Sequence, residues 1–202
     1  MLQKKAVKPE LLELLSQFMQ IDEFINFNLV GGTALALYDG HRLSVDIDLF
    51  GKQELNEQSI TNVIRTIGIC TLLSQSSNIL IYSINNIKVD FVNYNYDLIE
   101  PITVTDGIRI VSKKDIAAMK LNAIVGRGSK KDFYDLHQLL HEFTLAEMLF
   151  FYKTKYPAGS EFMVLKSLLY FDDAENEPDP IALKPIRWHE VKNTIISLVN
   201  TF

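Results

Sequence analysis

The chain has 202 residues, with 20 Lys+Arg against 25 Asp+Glu and a formal net charge of −5; 48% of its residues are apolar and 10% aromatic. That composition is too apolar for a disordered polymer and too acidic for a protein that coats DNA nonspecifically, although a local basic site for phosphates stays open. The single cysteine, Cys70, excludes an intramolecular disulfide framework and a Cys-rich zinc centre, and no uncharged apolar run nears the ~20 residues of a membrane span.

From the N-terminus, Pro9 to about Ile25 carries Leu11, Leu12, Leu14, Leu15, Phe18, Ile21 and Ile25 at helical spacing, with Pro9 suited to a first turn. Glu10 and Glu13 stand where a signal peptide needs an apolar core, so a cytoplasmic protein is expected. Phe27 to Val30 is a short apolar run that stops at Gly31-Gly32, and Thr33 to Tyr38 then reads as a short helix. Leu43 to Phe50 alternates with period two and predicts a strand with one wet face. A helix over Asn56–Ile67 and strands over Gly68–Leu73, Asn78–Ile84 and Ile87–Tyr94 follow, with Asn85-Asn86 as a tight hairpin turn. Glu100 to Gly107 reads as loop and Ile108–Ile110 as a short edge strand. Beyond Ser112 the pattern is helical: Lys113–Val125, Lys130–His141, Leu145–Tyr156, about Glu161–Tyr170, and Trp188–Val199. This shift predicts an α/β unit over 1–111, holding a small antiparallel or mixed sheet, and a helical bundle over 112–202 packed on it.

Three features carry chemistry. A strand running into Gly31, Gly32 and Thr33 and then into a helix lets backbone approach a ligand and presents free N–H groups, which suits a phosphate. Asp46 and Asp48, at i and i+2 on a strand, share one face and would repel unless a cation bridges them; paired hard oxygens suit Mg²⁺. Asp90, in Ile87-Lys88-Val89-Asp90-Phe91-Val92, joins that face if its strand pairs alongside, and three carboxylates could then hold two ions. Arg42 and Ser44, just before the acidic strand, and Arg127 and Lys131, around the Gly126–Gly128 loop, are further candidates for phosphate contact. His41 has no second His or Cys at ligand spacing, and His137 and His141, at i and i+4 on a helix, have no accompanying acid motif and read as ordinary surface or core packing; the aromatics of the helical half read as core. Ser112-Lys113-Lys114-Asp115 and Ser129-Lys130-Lys131-Asp132 both fit a capping box. The acidic stretch around Asp172–Asp179 reads by default as a disorder-prone loop, with capping the site or facing a partner as the alternatives.

The pattern LVGG-x13-DIDLF followed by KVDFV resembles the polymerase-β-type nucleotidyltransferase superfamily. In closer detail, GGTALAL, HRLSVDIDLF, DIAAMKLNAI and KKDFYDL resemble the AbiEii/AbiGii toxin family of nucleotidyltransferases, over about Phe27 to Leu140. The resemblance implies a mixed-sheet nucleotidyltransferase fold and transfer of a nucleotide monophosphate from an NTP to an acceptor hydroxyl with two Mg²⁺ ions. It implies that Gly31, Gly32 and Thr33 contact the triphosphate and that Asp46 and Asp48 bind both metals. Asp90 becomes the third carboxylate, and Lys120 pairs with nucleotide phosphates. Asp132 is the preferred fourth-motif acid, with Asp135 as the other choice. It also implies a toxin half of a toxin–antitoxin or phage-defence pair, with a regulator as antitoxin and tRNA or protein as acceptor. A small-molecule nucleotidyltransferase of the antibiotic-modifying kind and a non-catalytic nucleotide-binding module remain the competing readings.

Overall fold

A computed structural model describes residues 1–202. Helix α1 (Pro9–Gln20) opens with Pro9, whose missing N–H loses nothing in a first turn, and buries Leu11, Leu14, Leu15, Phe18 and Met19. It ends earlier than predicted. A single 3₁₀ turn, Asp22–Phe24, follows, and the Arg109 guanidinium donates to the carbonyls of Met19, Phe24 and Phe27, drawing the chain off the helix axis. Phe24 and Phe27 are thereby folded inward to pack with Phe18 around Phe91, at ring-centroid distances of 4.9 to 5.6 Å.

Strand β1 (Asn28–Leu29) runs into α2 (Gly31–Asp39), and β2 (Asp46–Gly51) returns antiparallel to β1. Helix α3 (Glu57–Ile64), capped by the Asn56 side chain, leads to β3 (Cys70–Gln75), β4 (Ile79–Ile84) and β5 (Ile87–Asn93). Asn85 and Asn86 both take positive φ, the conformation a two-residue hairpin demands and Asn tolerates. Strand β3 starts two residues later than predicted because the Asn85 carboxamide accepts from the Ile69 N–H and holds that corner as turn.

The stretch read as loop before Gly107 contains a strand, β6 (Thr103–Thr105), which pairs with β7 (Ile108–Ile110) across an Asp106-Gly107 turn with both φ positive. The sheet is mixed, in the order β3-β4-β5-β2-β1-β7-β6. Its central pairing is parallel, β2 against β5, which puts Asp48 opposite Asp90 and Asp46 opposite Lys88.

Helices α4 (Lys113–Gly126), α5 (Lys130–Leu139), α6 (Leu145–Lys155), α7 (Glu161–Leu168), the short α8 (Asp172–Glu175) and α9 (Trp188–Asn200) complete the chain. Ser112 caps α4 by accepting from the Asp115 N–H. Asp115 is spent on buried contacts to Lys155 and to the N–H groups of Ile99 and Glu100, which tie α4 and α6 to the loop after β5. Ser129 departs from the predicted capping box. Its hydroxyl donates to the Asp132 carboxylate and caps no backbone N–H of α5. The acidic segment 172–179 is docked: Lys130, 5% exposed, donates to the carbonyls of Glu175 and Glu177 and pairs with Asp179. One hydrophobic cluster runs through both halves, from Leu29 and Phe91 to Leu121, Phe133 and Val191.

Candidate functional site

The site begins with the cross-strand register. Asp46 and Asp48 alternate with buried Ile47 and Leu49, so both carboxylates leave the core face of β2. On β5, Lys88 and Asp90 leave the same face, and Lys88 Nζ donates to both Asp90 oxygens at 2.7 Å. Lys131 of α5 reaches Asp46 at 3.5 Å. Asp48 has no ion-pair partner. Burial first, and then the charge of Asp90, push its carboxyl up to about 6; Lys120 and Lys88 only partly offset this. A carboxylate with that surplus of negative field is a ready ligand for a cation.

Gly31 makes the approach possible. Its φ is +68°, and an added Cβ would lie 2.5 Å from Asp48 Oδ2. The backbone at the start of α2 therefore abuts the carboxylate directly. Gly31→Ala should cost about 1–3 kcal/mol for the left-handed backbone, with the Asp48 clash in addition. Thermal unfolding reads the loss, and an unshifted midpoint would show that the loop relaxes freely.

Beneath this face lies a buried ion network. Lys120 Nζ of α4 contacts Asp132 at 2.9 Å and Asp135 at 2.6 Å, both on α5. Asp135 also accepts from Arg42 at 2.6 and 2.8 Å and faces His41 Nε2 at 2.8 Å. Asp132 accepts from Arg127 at 2.9 and 3.1 Å and from Ser129 at 2.7 Å. Burial would raise both carboxyls, but Lys120 and the guanidiniums reverse this and hold each below the usual carboxylate range. Burial likewise opposes the Lys120 charge, and Asp135 and Asp132 override it, so the lysine stays cationic.

Gly31, Asp48, Asp90, Lys120 and Arg127 line one cleft of about 550 Å³, together with Ile79, Ile81, Val92, Tyr94 and Met119. Asp46 lies next to this group on the same face of β2. Three residues expected at the nucleotide turn inward instead. The Thr33 hydroxyl donates to the Asp46 carbonyl and bonds Ser44 Oγ at 2.8 Å, both side chains being buried. Arg42 spends Nε and one NH₂ on Asp135 and the other on the Leu43 carbonyl. The reason is that the strand starts only at Asp46, so residues 42–45 do not continue its wet face. A Cβ on Gly32 would sit inside van der Waals contact with the Arg42 guanidinium, so this glycine admits the buried arginine.

Lys88 and Tyr94 were not singled out by sequence. Both lie at even spacing from Asp90 on β5 or its extension, which is the signal that could have found them.

All ligands on the acidic face are carboxylate oxygens, the donor set Mg²⁺ takes. As the side chains stand, no three His, Cys, Asp or Glu groups converge on one point, because Lys88 holds Asp90 and Lys131 holds Asp46. Both lysines are partly exposed, 42% and 46%, and free to swing away. The residues fit a divalent ion that displaces them.

The mixed sheet with its flanking helices is a nucleotidyltransferase fold. The chain superposes on the nucleotidyltransferase toxin MenT4 of Mycobacterium tuberculosis H37Rv with a TM-score of 0.60 at 16% identity, covering 94% of this chain and 81% of that one. On JHP933 of Helicobacter pylori the TM-score is 0.55 at 17% identity, over 96% and 92%. The sequence profile of the family described as nucleotidyl transferase AbiEii toxin, type IV toxin–antitoxin system, matches residues 13–71 and 82–201. The chain belongs to that family. An uncharacterized protein of Aquifex aeolicus (strain VF5) is 40% identical over 179 residues, 86% of this chain and 87% of that protein.

Proposed function

We propose that this nucleotidyltransferase toxin moves a nucleotide monophosphate from an NTP to an acceptor hydroxyl, using two Mg²⁺ ions held by Asp46, Asp48 and Asp90. The observation that carries this is the parallel register that sets Asp48 opposite Asp90 beside the positive-φ Gly31. Mg²⁺ bound there would lower the pKa of the attacking hydroxyl and neutralise the departing pyrophosphate. Gly31 and Gly32, at the N-terminus of α2, offer backbone N–H groups and the positive end of a helix to the phosphates. Arg127, with 61% of its side chain exposed, extends a guanidinium from Asp132 toward the cleft. Lys120 supplies positive potential from below, and Asp132 and Asp135 position it. Thr33, Ser44 and Arg42 act as supports that fix the Gly31–Gly32 turn against β2. The division near Ser112 then has a mechanical meaning: the sheet half presents Asp46, Asp48 and Asp90, and the helical half adds Lys120, Arg127 and Lys131 to the Lys88 of β5.

The acceptor we infer is RNA. Lys88, Lys131 and Arg127 surround the acids, and a metal that takes over Asp46 and Asp90 would leave these cations to meet the phosphates of an RNA backbone. From the toxin–antitoxin description of the family we infer a cognate antitoxin as partner. No helix is long and apolar enough to cross a membrane, and we place the protein in the cytoplasm with its NTP.

The test is transfer of label from an α-labelled NTP, in Mg²⁺, offered tRNA, a protein extract or an aminoglycoside. Label on tRNA, lost in EDTA and lowered on the order of 10²-fold or more by Asp90→Asn, is expected. Equal labelling by the Asp90→Asn protein would refute the assignment.

A further inference from the structure

His41 and Arg42, both partners of Asp135, also line a second cavity, of about 440 Å³. Its walls come from three places. His41 and Arg42 precede β2; Tyr134, His137, Gln138 and His141 belong to or follow α5; Ala182, Lys184, Pro185 and Ile186 lie between α8 and α9. The last segment is fixed in place by backbone: the Leu183 and Lys184 N–H groups donate to the His41 carbonyl, and Leu43 N–H donates to the Ile181 carbonyl. Three of the chain's four histidines thus meet at one wall with a lysine, and no carboxylate lines the space. Three acids stand near it without lining it: Asp135 faces His41 and pairs with Arg42 and Lys120, Asp39 is spent on Lys113 and Gln138, and Glu190 of α9, paired with Arg187, lends His137 some negative field.

His41 is 6% exposed, and its Nε2 is committed to Asp135. Its Nδ1 has no hydrogen-bond partner. An orphaned ring nitrogen in a buried residue costs free energy unless something outside the fold answers it. With Nε2–H directed at Asp135, Nδ1 presents a lone pair, which the P–OH of a hydrogen phosphate can answer as donor. His137 and His141 stand with ring centroids 5.0 Å apart, and burial together with His141 holds His137 below the ordinary imidazole value. Two imidazoles that oppose each other's charge also gain from an anion between them. A metal fits less well, since no three ligating groups converge here.

We propose that this cavity is an anion site, taking a phosphate-class oxyanion on His137, His141 and Lys184, with His41 behind them. Its occupancy reaches the catalytic face through one residue, since His41 shares Asp135 with Lys120 and Arg42.

Four histidines give four resolvable imidazole signals, and His189, outside the cavity, is an internal control. The full chain is titrated with inorganic phosphate at fixed pH, with NaCl matched in ionic strength, while imidazole ¹⁵N–¹H spectra are recorded. The expected result is a saturable shift of His41, His137 and His141 at millimolar phosphate with His189 unmoved. Lys184→Ala, at an exposed position, should weaken that binding about tenfold, one charge contact removed. A short single-stranded RNA added to the phosphate-loaded protein separates the sources. Reversal of the phosphate shifts assigns the site to a nucleic-acid backbone, and no reversal assigns it to free phosphate. Linear shifts matched by NaCl, shifts shared equally by His189, or unchanged affinity in Lys184→Ala would overturn the proposal. So would Zn²⁺ perturbing His137 and His141 while phosphate leaves them unmoved.

Discussion

Asp48→Asn should cut nucleotidyl transfer on the order of 10³-fold, the several kcal/mol of charge stabilisation that a bound metal supplies, while making the metal-free protein more stable at neutral pH. The two effects have one cause. Asp48 is half-buried beside Asp90 with no cation of its own, and its carboxyl is pushed up to about 6 from an ordinary 3.8. The folded state therefore holds this proton more tightly than the unfolded chain does. Stability from that preference is complete below about pH 4 and is lost as pH rises through about 6. At neutral pH the loss amounts to about 2–3 kcal/mol, which Asn escapes because it never ionises. Denaturant melts in EDTA should show the two proteins converging below about pH 4, separating between about pH 4 and 6 and staying apart above that, with the variant more stable. Adding Mg²⁺ should reverse the order, since only the wild type gains from binding an ion in its native state. A variant that is less stable at every pH, with or without Mg²⁺, would mean that Asp48 is a structural residue.

The parts of this site legible in sequence are those that local rules reach. Period two places Asp46 with Asp48, and Asn85-Asn86 marks the hairpin that returns β5 beside β4. Local rules do not reach the neighbour of β2. The parallel pairing with β5 joins segments some forty residues apart and makes Asp48 face Asp90. Nor does any local rule tell that Thr33, Ser44 and Arg42 point inward, because that depends on the loop 40–45 lying between α2 and α5. Asp132 and Asp135 could not be separated for the same reason: both converge on Lys120, which belongs to another helix. The strand Thr103–Thr105 was legible and passed over, since Asp106-Gly107 is as strong a hairpin signal as Asn85-Asn86.

Asp135→Asn should be the most destabilising single change in the site. Asp135 is fully buried and faces three positive or ionisable groups: Arg42 by two contacts, Lys120 at 2.6 Å and His41 at 2.8 Å. Removing its charge leaves Arg42, which has no other acid in direct contact, without an ion-pair partner in the interior, and leaves Lys120 with Asp132 alone. Breaking a buried pair in this way costs about 3–5 kcal/mol, for a protein of this size a fall of roughly 10 °C in Tm. Asp132→Asn removes a comparable number of contacts but should cost less. Its partner Arg127 is largely exposed and can return to water, whereas Arg42 cannot. Acid should act in the same order. Cations hold both carboxyls well below the usual range, so their contribution is complete above about pH 4 and falls away as pH drops toward their folded values. The Asp135→Asn protein should therefore show a shallower loss of stability on acidification than wild type, from a lower starting point. Differential scanning calorimetry between neutral and acid pH checks both. If Asp132→Asn proves the more destabilising of the two, the centre of the network lies at Arg127, and the buried Arg42 is not what Asp135 is there to hold.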